Sequence, residues 1–373
     1  MKIMFIVYHD IRKEARSQEI LECAKTLSNE TVLVSYSKPF NTQNIKCIVT
    51  GNGERNYFKF IKESIKAIKE ENPDVVILHD DYTAAVLAWI HKFRKNIFII
   101  YDSSELYIDR KPKSFKQFVA RHMHYFEKFY LKHADVVISA NIERGNIMKD
   151  YYKLKEKPIV FDNIHRIDDH YNEEQLDRKY SELFGDDKFK IVYGGGISKK
   201  RMSFELLEAV HSLGSNYRLI ICGMLDAKDK SEFDSFISEN SISDVHYVGF
   251  IPRSEWRYML RKADISVSAF SKDTLNNVYC ASGKLYESLF EGTPILTSEN
   301  PPLKRICNNF GVGVSKDNFK EGILDLEQNY EVYCENIDAY TRTIDYEGRI
   351  SNLAETLQKR IASTPSFNQS ISD

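Results

Sequence analysis

The chain has 373 residues, 42% of them hydrophobic and 28% charged, and its 52 Lys and Arg against 54 Asp and Glu leave a net charge of −2. That length exceeds what one hydrophobic core usually serves and predicts two domains, and the balanced charge excludes the basic footprint of a nucleic-acid partner. No apolar run reaches the length of a bilayer span, and MKIMFIVYHD becomes charged too soon for a signal peptide, so the expected location is the cytoplasm.

From the start, short β-branched runs alternate with helix-period segments: KIMFIVY, TVLVSY, DVVILH, NIFIIY, DVVISA and PIVF. This is the pattern of a parallel sheet with helical crossovers. The first strand-to-helix turn carries His9, Asp10 and Arg12, for which an Asp10 helix cap with an exposed Arg12 is a better account than a binding role. The third run ends in His79, Asp80 and Asp81 at the edge where such sheets present functional groups, although a strand-end His is often only a hydrogen-bonded structural residue. Asp102 and Glu105 follow the fourth run, where helix capping and ligand contact are equally open readings.

Between Arg110 and Lys132, Phe115, Phe118, Val119, His122, Phe126, Phe129 and Tyr130 recur at helical spacing beside Lys113, Lys116, Arg121, Lys128 and Lys132. A core-facing helix explains this stretch, and so does peripheral contact with an anionic membrane surface. The polar segment DNIHRIDD then breaks the rhythm, and after an acidic helical stretch, NEEQLDRKYSELFG, a second series follows: FKIVYGG, YRLIICG, VHYVGF, ADISVSAF, TPILTS and GVGVS. The expected architecture is therefore α/β, with two Rossmann-like doubly wound domains facing across a cleft. The first would span residues 1–165 with a returning C-terminal helix at about 346–362, the second 166–345, and a polar tail, 363–373, would be disordered. Six cysteines, Cys23, Cys47, Cys222, Cys280, Cys307 and Cys334, lie far apart without a C-x-x-C pair and are expected to be reduced and mostly buried.

Two segments of the second half suit a phosphorylated ligand. In YGGGISKKRMSF, Gly194, Gly195 and Gly196 end a strand and let backbone approach a phosphate, while Lys199, Lys200 and Arg201 gather positive charge before a helix near Ser203. In SGKLYESLFEGTP, Gly283 and Lys284 open a helix, Glu287 lies three residues into it, and Gly292 with Pro294 closes it. Backbone N–H groups and Lys284 suit a diphosphate there, and Glu287 can accept hydrogen bonds from ribose hydroxyls. A tight turn and an ordinary capped helix are the plainer readings. Asn276 and Asn277 stand where donor-sugar hydroxyls would be read, or are solvated loop residues.

KLYESLFEGTP resembles the donor-domain signature of the glycosyltransferase family four group within the GT-B superfamily, and the likeness covers most of the chain, strongest from Ile191 to Ser298. The resemblance implies a retaining glycosyltransferase that moves a sugar from a UDP- or GDP-linked donor to a hydroxyl of a glycan or lipid-linked glycan, as in surface polysaccharide assembly. It implies that Arg201 and Lys284 neutralise the leaving diphosphate, that Gly195, Gly196 and Gly283 approach the donor and Glu287 holds its ribose, and that His79 acts in catalysis. Asp80, Asp102 and Glu105 would lie on the acceptor side. No cofactor beyond the nucleotide sugar and no metal is expected, because no Asp-x-Asp occurs. The chain departs from the family at Tyr279, where an earlier Glu is usual, at Ser104, where a His is usual, and at Ser288, which replaces an aromatic or small apolar residue. Alternative readings are a sugar-nucleotide epimerase of the same fold and a catalytically decayed nucleotide-sugar-binding subunit; a dinucleotide oxidoreductase fits poorly, since no G-x-G-x-x-G follows the first strand.

Overall fold

A computed structural model describes residues 1–39, 43–109, 118–225, 227–242 and 244–364. The chain divides into two compact units, one made of Met1–Asn163 with the C-terminal segment from Asp345, the other of Ile164–Ile344.

The first unit holds β1 (Lys2–Val7), β2 (Glu30–Ser35), β3 (Ile45–Val49), β4 (Val75–His79), β5 (Phe98–Ser103), β6 (Val136–Ser139) and β7 (Ile159–Val160). They form one parallel sheet in the order β3-β2-β1-β4-β5-β6-β7. The central strands are buried almost throughout because helices cover both faces, which is why they read in the sequence as unbroken apolar runs. β3 was not visible in that pattern: it lies at the sheet edge, is half-buried, and carries Lys46 amid its apolar residues.

The helix Arg349–Ala362 closes this unit from the far end of the chain. Leu353, Leu357 and Ile361 recur every fourth residue and bury one stripe against the helix Ala15–Leu27 and the residues of β1 that face it. Arg349 bonds Glu19 and donates to the Asp162 carbonyl at 3.2 Å, and its guanidinium lies 4.7 Å from the Phe161 ring centroid. Of the expected disordered tail, 363–373, residues 365–373 lie outside the described residues, whereas Ser363 and Thr364 are ordered on the helix end, their N–H groups bonding the Lys359 and Ile361 carbonyls at 3.1 and 3.3 Å.

The second unit holds β8 (Phe189–Gly194), β9 (Tyr217–Cys222), β10 (Val245–Gly249), β11 (Ile265–Ser268), β12 (Ile295–Thr297) and β13 (Gly313–Ser315), parallel in the order β10-β9-β8-β11-β12-β13. Each sheet steps outward from its first strand in one direction and then restarts on that strand's other side. That reversal, beside β1 and beside β8, is the switch point at which loops part at the carboxyl edge. The acidic stretch before β8 forms two short helices, Glu173–Lys179 and Ser181–Phe184, because Tyr180 leaves helical geometry. All six cysteines are free, four of them buried.

Leu357 is 1% exposed in the first core, so Leu357→Ala is expected to cost about 3 kcal/mol by the cavity it leaves. Urea unfolding of the full chain measures this, and a loss under about 1 kcal/mol would show that the returning helix is not part of the core.

Candidate functional site

Two clusters stand at the carboxyl edges, one in each unit. In the first, β1, β4 and β5 are neighbours, so the residues at their ends meet although they lie far apart in sequence. Arg16, on the first helix and 2% exposed, donates Nε to both carboxylate oxygens of Asp102 at 3.1 Å, Nη2 to Oδ1 at 2.6 Å, and Nη1 to the Phe161 carbonyl at 2.7 Å. His79 Nδ1 is 2.7 Å from Asp102 Oδ2, and its Nε2 lies 3.3 Å from Glu14 Oε2 and 3.5 Å from Asp80 Oδ2. Asp80 accepts the Ser104 N–H at 2.7 Å and the Ser104 hydroxyl at 2.6 Å, with His9 Nε2 at 3.2 Å.

Asp80 has φ 57° and ψ 175°, a backbone region that a residue with a Cβ occupies only under strain of about 1–3 kcal/mol. The surroundings hold it there: its N–H bonds the Asp102 carbonyl, and its own carbonyl takes both the N–H and the hydroxyl of Thr83. Burial disfavours a charged His79, but the charges of Asp80 and Glu14 and the bond to Asp102 outweigh it and raise the imidazole pKa well above its ordinary value. Burial likewise raises the Asp102 carboxyl, yet Arg16 and His79 win and hold it below the ordinary value; for Asp80, His79 and His9 do the same.

His79, Asp80 and Asp102, all singled out from sequence, are thus brought together, and Asp102 is a buried counter-ion with no role as a helix cap. Glu105 is partly exposed, with Arg144 Nη2 at 3.4 Å. The expected Asp10 cap is corrected: the first helix begins at Ala15 and its cap is Glu14, which accepts from Ser17 N at 2.9 Å. Asp10 lies too early, with residues 11–13 forming a turn, and pairs instead with the exposed Arg12 at 2.8 Å. Arg16 and Glu14 escaped the sequence reading because RKEARSQ looks like the solvated start of a helix.

The second cluster gathers at the ends of β8 and β11, which pair side by side. Gly195, at φ 153°, comes so close to Gly223 that a Cβ on the latter would sit 2.0 Å from the Gly195 carbonyl oxygen. The Gly196 carbonyl accepts the Tyr193 hydroxyl at 3.0 Å. Lys199–Arg201 form one exposed turn, and the helix Ser203–Leu213 then starts at the expected place. Lys199 reaches Glu232 at 3.3 Å, whereas Arg201 packs 4.3 Å from the centroid of Phe270, two residues beyond β11.

The helix Gly283–Phe290 starts at the same strand end, because the Ser282 hydroxyl bonds that of Ser268 at 2.8 Å. That bond diverts the Ser282 side chain from capping, so the first N–H groups of the helix carry no side-chain cap. Gly283 is needed where it stands, since a Cβ there would meet the His165 ring at 2.5 Å. Glu287, 8% exposed, accepts from Trp256 Nε1 at 2.9 Å and from Lys284 Nζ at 2.8 Å, both at Oε2, and Lys284 Nζ lies 4.7 Å from the Trp256 ring centroid. Burial raises the Glu287 carboxyl, but Lys284 and the two hydrogen bonds bring it below its ordinary value. Ser288 fits its fully buried position by bonding the Ser266 hydroxyl and the Thr293 carbonyl. Asn277 is a loop-holding residue, its amide 2.7 Å from Asp273 Oδ1. Trp256 and His165, missed in the sequence, complete this cluster.

Residues 174–343 match the family described as Glycosyl transferases group 1. No curated protein matches the chain by sequence. Among solved structures, HepE from Anabaena, in complex with UDP and glucose, is similar with a TM-score of 0.72 at 14% identity, over 96% of this chain and 100% of its own. Sucrose-phosphate synthase from Thermosynechococcus elongatus gives 0.74 at 13% identity, over 98% and 100%. WaaG, a glycosyltransferase involved in lipopolysaccharide biosynthesis, gives 0.69 at 15%, over 95% and 99%. The fold is that of the GT-B glycosyltransferases, and the family match falls within the second unit.

Arg16→Met and Asp102→Asn are each expected to cost about 3–5 kcal/mol, because either strands a buried partner, while the double variant costs less than their sum. Denaturant titration of the three variants measures the coupling, and additive losses would show that the pair is not a unit. A raised His79 pKa means that its protonated form favours the folded state. Its contribution is complete below the ordinary value of 6.5 and fades as pH rises through the folded-state value. Unfolding followed between pH about 6 and about 9 should show that decline in the native chain and a flatter profile in His79→Asn.

Proposed function

We propose that the chain is a retaining glycosyltransferase whose second unit binds a UDP- or GDP-linked sugar and whose first unit presents a hydroxyl of a glycan or lipid-linked glycan. The observation that carries this reading is the start of the helix Gly283–Phe290, where uncapped N–H groups, Lys284 and the buried Glu287 stand together. A diphosphate suits the N–H groups and the ammonium, and the Glu287 carboxylate suits ribose hydroxyls. The solved structure of HepE with UDP-glucose supports a uridine donor, and the role of WaaG in lipopolysaccharide biosynthesis supports a part in surface polysaccharide assembly.

In the reaction, the bond from the sugar's anomeric carbon to the diphosphate breaks while negative charge grows on the departing phosphate. Arg201, Lys284 and the Gly283 amide stabilise that charge, without a metal and without a cofactor beyond the nucleotide sugar. The acceptor hydroxyl attacks from the side the phosphate leaves, and the phosphate takes its proton. His79 acts from within the buried cluster by fixing the groups around it, Asp102 supports it there as its counter-ion, and Asp80 and Glu105 lie on the acceptor side.

A membrane-facing acceptor is supported by the helix Phe118–Tyr130. Met123 and Glu127 face inward, Glu127 accepting the hydroxyls of Tyr101 and Tyr152 at 2.9 and 2.6 Å, while Phe118, Tyr125 and Phe129 are exposed. An apolar groove of about 1080 Å³, lined by Phe58, Ile61, Ile65, Phe118, Val119 and Phe126, runs beside it. Among the described residues no helix is long and apolar enough to cross a membrane, and we place the protein in the cytoplasm with peripheral contact at the membrane's inner face. Residues 110–117 of the expected basic stretch, with Lys113, Phe115 and Lys116, lie outside the described residues.

Arg201→Ala and Lys284→Ala are each expected to lower transfer at least about tenfold with the fold intact by circular dichroism. UDP or GDP at about a hundred times its dissociation constant should stabilise the native chain by about 2.7 kcal/mol. Wild-type turnover in either purified variant, or conversion of the nucleotide sugar to an epimer without any acceptor, would overturn the reading.

A further inference from the structure

The acidic groups that the sequence places on the acceptor side are largely spent on the protein itself. Both oxygens of Asp102 are taken by Arg16 and His79, and both oxygens of Asp80 by Ser104 and His9. The two oxygens of Asp10 are held by Arg12. Glu14 differs. Its contacts with Ser17 N, the Ser17 hydroxyl and His79 Nε2 all converge on Oε2, and among the described residues Oε1 has no partner. The side chain is 30% exposed, so one carboxylate oxygen is pinned and the other is open to a ligand.

A second observation points the same way. His79 Nε2 is buried and makes no hydrogen bond, and the group nearest it is the Glu14 carboxylate at 3.3 Å. The imidazole cannot turn, because Asp102 holds its Nδ1 and Arg16 holds Asp102. A fixed polar N–H behind a half-used carboxylate strengthens it as a hydrogen-bond acceptor without neutralising it through a full bond. The His79 ring meets the His9 ring edge to face at 5.4 Å, and His9 joins a wall of rings at the ends of β1, β2 and β4. His9 meets Tyr82 edge to face at 5.6 Å, Tyr8 packs on Tyr36 and Tyr82 at 5.6 and 5.2 Å, and the exposed Arg55 lies over Tyr8 and Tyr82. Tyr36, Tyr57 and Tyr82 are half-buried. An apolar ring face next to a lone acceptor matches a sugar, which shows C–H groups on one side and hydroxyls at its edge.

We propose that Glu14 Oε1 holds the attacking hydroxyl of a pyranose acceptor whose ring packs along Tyr82 and His9, with His79, Asp102 and Arg16 as the buried support that fixes the carboxylate. The proposal rests on the glycosyltransferase reading above. Glu14 stays ionised throughout. The new bond joins the acceptor oxygen to the anomeric carbon, the bond to the diphosphate breaks, and the hydroxyl proton gives up its hydrogen bond to Glu14 Oε1 and leaves on the phosphate.

The test uses the full chain, the nucleotide sugar it turns over, and octyl β-glucoside, octyl β-galactoside and octyl β-N-acetylglucosaminide as acceptor probes. Glu14→Gln keeps an oxygen to cap the Ser17 N–H but removes a charge beside His79, so the variant should stay folded by circular dichroism with a modestly lower melting temperature. Its kcat/KM for the accepted glycoside should fall at least about tenfold, chiefly through KM, while calorimetry shows UDP or GDP binding unchanged. Wild-type acceptor kinetics in Glu14→Gln would overturn the proposal and leave the glycosyltransferase reading standing. Equal loss of nucleotide binding, or a wild type that passes its sugar to water and to none of the glycosides, would also overturn it. A wild type that neither binds nor turns over any UDP- or GDP-sugar would sink the glycosyltransferase reading itself.

Discussion

Every ladder in both sheets is parallel, and that constraint decides where chemistry can appear. Parallel strands joined by helices deliver each strand's carboxyl end, and the turn that follows it, to one edge of the sheet. With β1, β4 and β5 adjacent, that edge collects His9 and Glu14, then His79 and Asp80, then Asp102 and Ser104. With β8 and β11 adjacent, it collects Gly195 to Arg201 with Phe270 and Ser282. Residues 86 apart in the chain, Arg16 and Asp102, are bonded side chains for this reason alone.

The two clusters use charge in opposite ways. In the first unit a guanidinium and a carboxylate sit 2% and 0% exposed, a placement that carries a desolvation penalty of several kcal/mol per ion unless geometry offsets it. The offset is nearly complete: Arg16 makes a bidentate pair and a carbonyl bond, Asp102 takes a third donor in His79, and the strained Asp80 backbone is tied down from both sides. Such a network adds little net stability compared with apolar packing. What it supplies is a set of side chains with one permitted arrangement.

Much of this was legible in the sequence, and the failures have physical causes. Twelve of the thirteen strands announce themselves as apolar or β-branched runs, the central ones because their faces are covered, whereas β3, half-buried at the sheet edge and interrupted by Lys46, does not. The grouping of Gly283, Lys284 and Glu287 was readable because they lie within about one helical turn. Trp256 was not, since its bond to Glu287 spans 31 residues and only the tertiary fold brings it there. Arg16 was invisible for the same reason: nothing in RKEARSQ distinguishes a buried arginine from the exposed ones that usually open a helix. Ser288, a departure from the resembling family, is accounted for by Ser266, a partner 22 residues away on the neighbouring strand.

The helix at Gly283 shows how a site is kept open. Serine at a cap position ordinarily bonds the free N–H groups of the first turn, and an anion would then have to displace it at a cost of about 1 kcal/mol. Here Ser268 takes the Ser282 hydroxyl instead, which anchors the helix start to the end of β11 and leaves the amides available. Lys284 is held in readiness by Glu287 across one turn, and with its side chain 42% exposed that pair is worth about 1 kcal/mol or less. A diphosphate bound as proposed would compete with this contact and with the packing of the ammonium over the Trp256 ring. Glu287 does not collapse when Lys284 turns to the phosphate, because the Trp256 indole N–H still holds the same carboxylate oxygen. In the donor role proposed for this helix, the cation would be mobile and the carboxylate fixed, a division that suits the charged and the neutral ends of a nucleotide.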